Sequence, residues 1–296
     1  MFPLTVLVCL YAAAACLARA ASLELPPINA APSAEHHVGK VIWADLITPD
    51  LAVAERFYGG LFGWTFQPIH GGSGDYAVAM AGGRPVGGLF QKALPSGERR
   101  QSAWLTFISV RDLDAAKRVA LAHGAKILLD ARNVPARGRQ AVLSDPEGAV
   151  FAMLASSSGD PPDYLADPGE WIWSSLLCGD PGTEAAFYQT VFGYEVFDLA
   201  SDDQREHIIL SSDDLARASA NSRPSDSAAT HPHWLNFVRV ADAADAAGKA
   251  VALGGRVLVE PHVGRHGGRV AVVADPLGAA VGVMEWSEAA GQAAPQ

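Results

Sequence analysis

The chain has 296 residues, of which 49% are hydrophobic and 18% charged. That is ordinary globular composition, long enough for a well-buried core and without the bias of a disordered chain. The net charge of −10 argues against nucleic acid, or an anionic membrane surface, as a partner.

Residues Leu4 to Leu17 form an uncharged, Ala-rich run, followed by Ala18-Arg19-Ala20-Ala21. This has the small-x-small form of a signal-peptidase site, although Met1 to Thr5 carry no basic residue. The run is too short for an ordinary transmembrane helix, so no membrane span is expected. Residues 1–21 are therefore predicted to be a cleaved signal peptide, and the protein to be exported, either periplasmic or secreted. A lipid anchor at Cys16 and an uncleaved apolar N-terminal helix are the alternatives. Cys9 and Cys16 fall in the signal, which leaves Cys178 and no internal disulfide. Cys178 reads as a small buried residue rather than a catalytic thiol. Residues 22–38, rich in Ala and Pro and without period, read as a tether.

The rest of the chain is a repeat. Slid by 130 residues, Trp43 falls on Trp173, Phe57-Tyr58 on Phe187-Tyr188, Phe62-Gly63 on Phe192-Gly193, Trp104 on Trp234 and Asp145-Pro146 on Asp275-Pro276. Domains are predicted at 39–156 and 170–287, joined by a Ser-, Gly- and Pro-rich linker at 157–169 and followed by a tail at 288–296. Each domain also repeats internally, because Trp43 to Trp104 and Trp173 to Trp234 are both 61 residues apart.

The second quarter shows the unit most clearly. Trp104 to Val110 is a β-branched and aromatic strand. Asp112 is a helix N-cap, Ala115 to Ala122 carry an apolar helical stripe, and Gly124 ends the helix. Strands follow from Ile127, from Gln140 and from Ala149, the last two joined by a turn at Asp145-Pro146-x-Gly148. The unit is βαβββ. The first and third quarters open the same way, with Asp50 or Asp180 before a helix that ends near Gly63 or Gly193. Their later strands are obscured by glycine between Gly71 and Gly88 and by polar residues between Ser211 and Thr230.

A paired βαβββ unit with RFYGGLFGW closing one helix and SDPEGAVFAML closing the second module, both echoed by AFYQTVFGYEV and ADPLGAAVGVM, resembles the vicinal-oxygen-chelate superfamily: the glyoxalase, bleomycin-resistance and extradiol-dioxygenase group. The resemblance implies an α+β fold of tandem domains. In each, two modules would form one cupped mixed sheet, with helices outside and a ligand cavity inside. Members include enzymes that chelate vicinal oxygens on a metal and metal-free proteins that sequester a drug, so fold alone does not assign function.

Family enzymes place His, Gln or Glu on the opening strand of each module and Glu on a late strand. In this chain those positions hold Trp43, Leu105 or Trp104, and Ala152, then Trp173, Leu235 or Trp234, and Gly282. None can ligate a divalent metal. Gln91 is a lone candidate for the remaining position. His36-His37, His231-Pro232-His233, His262 and His266 read as surface histidines. No cofactor is expected; a divalent metal held by relocated ligands is the alternative.

Each opening strand instead carries Trp-x-polar: Trp43 with Asp45, Trp104 with Thr106, Trp173 with Ser175 and Trp234 with Asn236. Alternation puts each pair on one face. An unpaired polar side chain beneath a helix is costly, so the cup is the expected side. Two cups, each with two tryptophan walls and two polar groups, suit a small, partly aromatic ligand; the competing reading is that the tryptophans are packing. Arg139 and Arg269 repeat and suit either an anionic ligand or an ion pair. The sequence thus points to an exported, metal-free small-molecule binder. A metal-dependent lyase, isomerase or dioxygenase is the alternative, and a scaffold with filled cups a third reading. Catalytic residues, ligand and oligomeric state are left open.

Overall fold

The computed structural model describes residues 25–29, 31–69, 75–92, 101–199, 206–223, 231–264 and 267–286. The predicted signal peptide, the alternative anchor position Cys16, His266, the predicted tail from 288 and parts of the predicted tether lie outside them.

The first module runs β1 (Val41–Thr48), α1 (Leu51–Phe62), β2 (Thr65–Ile69), β3 (Tyr76–Ala81), β4 (Arg84–Gln91). The second runs β5 (Ala103–Ser109), α2 (Leu113–Ala122), β6 (Lys126–Val134), β7 (Gly138–Ser144), β8 (Val150–Ser156). The third is β9 (Trp171–Cys178), α3 (Pro181–Phe192), β10 (Glu195–Asp198), β11 (His207–Ser212), β12 (Leu215–Ser222). The fourth is β13 (His233–Arg239), α4 (Ala243–Ala252), β14 (Arg256–Val263), β15 (Arg269–Ala274), β16 (Ala280–Met284). All four helices start on the same device. Asp50, Asp112, Asp180 and Asp242 accept a hydrogen bond from the backbone N–H three residues on, satisfying a donor with no intrahelical partner. Gly63 and Gly193 end α1 and α3 at φ 73° and 74°, where a side chain would be strained.

The strands form two eight-stranded mixed sheets, ordered β2-β3-β4-β1-β5-β8-β7-β6 and β10-β11-β12-β9-β13-β16-β15-β14. The strand of Trp43 pairs antiparallel with the strand of Trp104, so the first and second modules share one sheet and the third and fourth share the other. The repeat shifts by one residue where the sequence is hardest to read. Asp45 and Ser175 differ by 130, while their partners Gly88 and Ser219 differ by 131.

The helices form the middle layer. One apolar core joins α1 and the first module to α4 and the fourth; the other joins α2 and the second module to α3 and the third. The far face of each sheet points away from this seam. On the first sheet that far face carries a further cluster that includes Trp43, Tyr76, Leu105 and Phe107, and it also takes in Leu25 and Ile28. That part of the predicted tether is therefore packed structure, because its two aliphatic side chains bury on the sheet.

Candidate functional site

Cross-strand register decides which tryptophans share a face. On the first sheet Asp45 stands opposite Leu105, Ala44 opposite Thr106 and Leu46 opposite Trp104. Trp43 and Asp45 therefore share the far face with Leu105 and Phe107, while Trp104 and Thr106 face the helices. The second sheet repeats this, with Ser175 opposite Leu235 and Leu176 opposite Trp234. The sequence had grouped Trp104 and Thr106, and Trp234 and Asn236, with the cups. The structure corrects this: one strand of each pair presents the other parity.

The polar residues under the helices are not stranded, which is why this register is tolerated. Thr106 and Asn236 meet each other across the seam at 3.0 Å, and Ser174 donates to Asn236 at 2.8 Å. Trp104 Nε1 donates to Tyr58 and Trp234 Nε1 to Tyr188, at 3.0 and 2.9 Å. Those tyrosines in turn donate to Asp275 and Asp145 of the opposite domain. Burial pushes both tyrosine hydroxyls and both carboxyls up, Asp145 to about 6. Beside Asp145 only, the buried Glu184 is also pushed up, first by burial and then by the Asp145 charge. Arg139 pairs with Asp114 at 2.9 Å, the structural alternative raised for it. Gln91 accepts from Leu51 N at the start of α1. Cys178 is buried, and burial pushes its thiol up.

The first cup is closed. Asp45 Oδ1 accepts from Trp43 Nε1 at 2.7 Å and from the Tyr76 hydroxyl at 2.8 Å. Gly88 makes this possible, since a Cβ there would lie 1.7 Å from the Tyr76 oxygen. The Arg137 guanidinium, fully buried, lies 4.4 Å from the Trp43 ring centroid and donates to the Tyr76 hydroxyl. Leu25 and Ile28 cover the rest.

The second cup is built from the same strands and, among the described residues, is less completely covered, with Trp286 packed against its apolar part. Trp173, Leu177, Val270 and Val272 are partly exposed, and Val259 at the rim is 43% exposed, against 7% for its counterpart Leu129. Its floor is a linked polar array. Ser219 Oγ receives Trp173 Nε1 at 3.1 Å and Asn221 Nδ2 at 2.9 Å, and lies 3.0 Å from Ser175 Oγ. With two bonds accepted, Ser219 has one proton to give, and Ser175 is its acceptor. Asn221 Oδ1 lies 2.9 Å from His207 Nδ1, which donates because the amide nitrogen is turned to Ser219. Leu235, Phe237 and Met284 make the apolar part. The sequence named Trp173 and Ser175 here but missed His207, Ser219 and Asn221, and in the first cup Tyr76 and Arg137. Alternation in His207–Ser212 and Leu215–Ser222 was the available signal, once those segments are known to be strands.

The family metal does not fit these residues. Toward the first cup the aligned strands present Trp43, Asp45, Leu105, Phe107 and Ala152, and the one carboxylate among them is held by an indole and a phenol. In the second, the late-strand position is Gly282, and a Cβ there would meet the Phe237 ring at 2.1 Å, leaving no room for a longer side chain. Among the described residues no three His, Cys, Asp or Glu side chains gather as a metal site.

Known proteins match this architecture. A family model described as the glyoxalase-like domain matches residues 42–154 and 173–284. CFP32 of Mycobacterium tuberculosis (strain CDC 1551 / Oshkosh), provisionally named a glyoxylase, is 30% identical over 253 residues, covering 85% of this chain and 96% of the relative. The anthracycline biosynthesis protein DauV of Streptomyces sp. (strain C5) is 30% identical over 263 residues, covering 85% and 94%. Among solved structures, the Mn(II)-bound glyoxalase from Novosphingobium aromaticivorans aligns with a TM-score of 0.58 at 16% identity, covering 84% of this chain and 83% of that one. The 2,3-dioxygenase LapB from Pseudomonas sp. KL28 gives 0.58 at 12%, covering 85% and 93%; at such identities the likeness is one of fold. With two matched copies spanning most of its length, the chain belongs to the glyoxalase-like domain family of the vicinal-oxygen-chelate superfamily.

Proposed function

We propose that the protein is an exported binder of a small, partly aromatic molecule, taken into the second cup without the family metal. The observation that carries this is the partly exposed far face of the second sheet, where the Trp173 indole stands beside the Ser219, Ser175, Asn221 and His207 array. Ser175 accepts from Ser219 and keeps its own proton to donate to a ligand oxygen. The indole supplies a stacking surface and Phe237 and Met284 an apolar wall, the mixture that small-molecule sites use. A flat aromatic ligand agrees with the anthracycline biosynthesis for which two relatives are named. Export rests on the form of residues 1–21. Its check is the N-terminal sequence of the protein recovered outside the cytoplasm, which should begin near Ser22.

The binding test is a panel of planar aromatic compounds followed by tryptophan fluorescence. Trp173→Ala should weaken binding by about 1–3 kcal/mol, the scale of an aromatic contact with its burial, and Ser175→Ala by about 1 kcal/mol, one hydrogen bond. A panel that binds equally to wild type and Trp173→Ala counts against the second cup. Near-stoichiometric zinc, iron, manganese or nickel in the purified protein overturns the metal-free reading in favour of a glyoxalase- or dioxygenase-like enzyme with relocated ligands.

A further inference from the structure

The first cup holds a piece of the chain's own N-terminal region. Leu25 and Ile28 are 3% and 2% exposed and pack in one cluster with Trp43 and Tyr76. Between them stand Pro26 and Pro27, which have no N–H to bond. The polar tie that these four residues make to the cup is the Pro26 carbonyl, which accepts from Arg137 Nε at 3.2 Å. The segment is latched outside the cup, where Asn29 bonds to Ser158 Oγ and to the Asp160 carbonyl. What fills the cup is therefore an apolar body with a single oxygen acceptor aimed at a guanidinium.

Arg137 is itself oversupplied with donors. It is fully buried, with Nε on Pro26, Nη2 on Tyr76 and its plane over the Trp43 ring. Its buried Nη1 has no hydrogen-bond partner among the described residues. A neutral carbonyl uses one arm of a fork that is built to take two oxygens. The second domain has Gly267 at the matching position, so this feature belongs to the first cup and the duplication did not require it.

We propose that the first cup is a second ligand site, specific for a small apolar carboxylate, and that residues 25–29 are its displaceable stopper. The carboxylate replaces the Pro26 carbonyl and engages Arg137 through two nitrogens, while the apolar body takes the space of Leu25 and Ile28 over Trp43. The proposal is independent of binding in the second cup, because it concerns the other sheet.

The test is calorimetric titration of 2-naphthoate into the full chain and into a full-chain L25D/I28D variant, whose stopper can no longer bury. At ligand concentrations too low to displace the native stopper, the variant should bind one equivalent more than wild type. At that added site 2-naphthoate should bind at least tenfold more tightly than its methyl ester, a contrast that needs no further mutation. Adding Arg137→Met should abolish the increment. A synthetic peptide of residues 22–33 should compete with 2-naphthoate for it. No added equivalent, an added equivalent indifferent to the ester, or a peptide that fails to compete overturns the proposal. Heat in wild type that survives Arg137→Met reports the second cup and is judged separately.

Discussion

The two cups descend from one sequence and have become opposites. Trp43 and Trp173 hold the same place, yet Trp43 is 2% exposed beneath Arg137 and the N-terminal segment, whereas Trp173 is partly exposed and bonded to Ser219. In the first cup the positions beside the tryptophan are Asp45, Tyr76 and Gly88, which close on one another. In the second the corresponding places hold Ser175, His207 and Ser219, which line a face without filling it. A duplicated sheet keeps its strand order under selection for packing, while the face that does not meet the seam is free to diverge. The seam, by contrast, repeats almost bond for bond, with Tyr58 on Asp275 and Tyr188 on Asp145.

The largest effect expected from this contrast is in the tryptophans. Trp43→Ala empties a sealed core and should cost about 3–5 kcal/mol of stability. Trp173→Ala removes a partly exposed side chain that also packs on the apolar part of the second cup, and should cost less, about 1–3 kcal/mol. Denaturant unfolding of the two variants measures both, and equal losses would break the comparison. Next comes the glycine. Gly88→Ser places a side chain on the Tyr76–Asp45 bond and should destabilise by about 1–3 kcal/mol; the reverse change, Ser219→Gly, should leave stability within about 1 kcal/mol and weaken ligand binding in the second cup instead.

The last effect lies at a place where the two seams differ. Glu184 stands where Ala54 stands in the first domain, buried beside Asp145 and near Glu147, Tyr188 and Cys178. Its folded-state pKa is raised above the ordinary 4.5, so the folded protein holds a proton that the unfolded chain releases. That contribution is fully present below the ordinary value and is lost as pH rises toward the folded one. The raised Asp145 acts in the same direction. Glu184→Gln keeps the shape without the titration. It should be nearly neutral at pH 5 and stabilising by about 2 kcal/mol at pH 8.5. Thermal melts at the two pH values decide, and a difference that does not grow with pH sinks the assignment.

Much of this was legible beforehand, and for identifiable reasons. The helix starts at Asp50, Asp112, Asp180 and Asp242 are local, since a carboxylate three residues from a free N–H needs nothing from the rest of the fold. The Asp145-Pro146 turn is local too, with Asp145 accepting from Gly148 and Ala149. The tryptophan faces were only half legible. Alternation along one strand correctly put Trp43 with Asp45 and Trp104 with Thr106, but it carries no information on which way a neighbouring strand is turned. Thr106 and Asn236 sit on the helix side despite their polarity, because each finds its partner in the other domain.

By itself, then, the sequence determined the duplication, the βαβββ unit and the helix ends, all of which depend on residue identity and spacing along one strand or turn. Only the tertiary structure decided that Trp104 and Trp234 hold the domains together, that Leu25 and Ile28 seal the first cup, and that Arg137 and Tyr76 meet over Asp45. Arg137 lies 111 residues from Pro26, and Tyr76 lies 31 from Asp45. Contacts of that kind are set by sheet register and by the burial of apolar surface at long range, which no local pattern encodes.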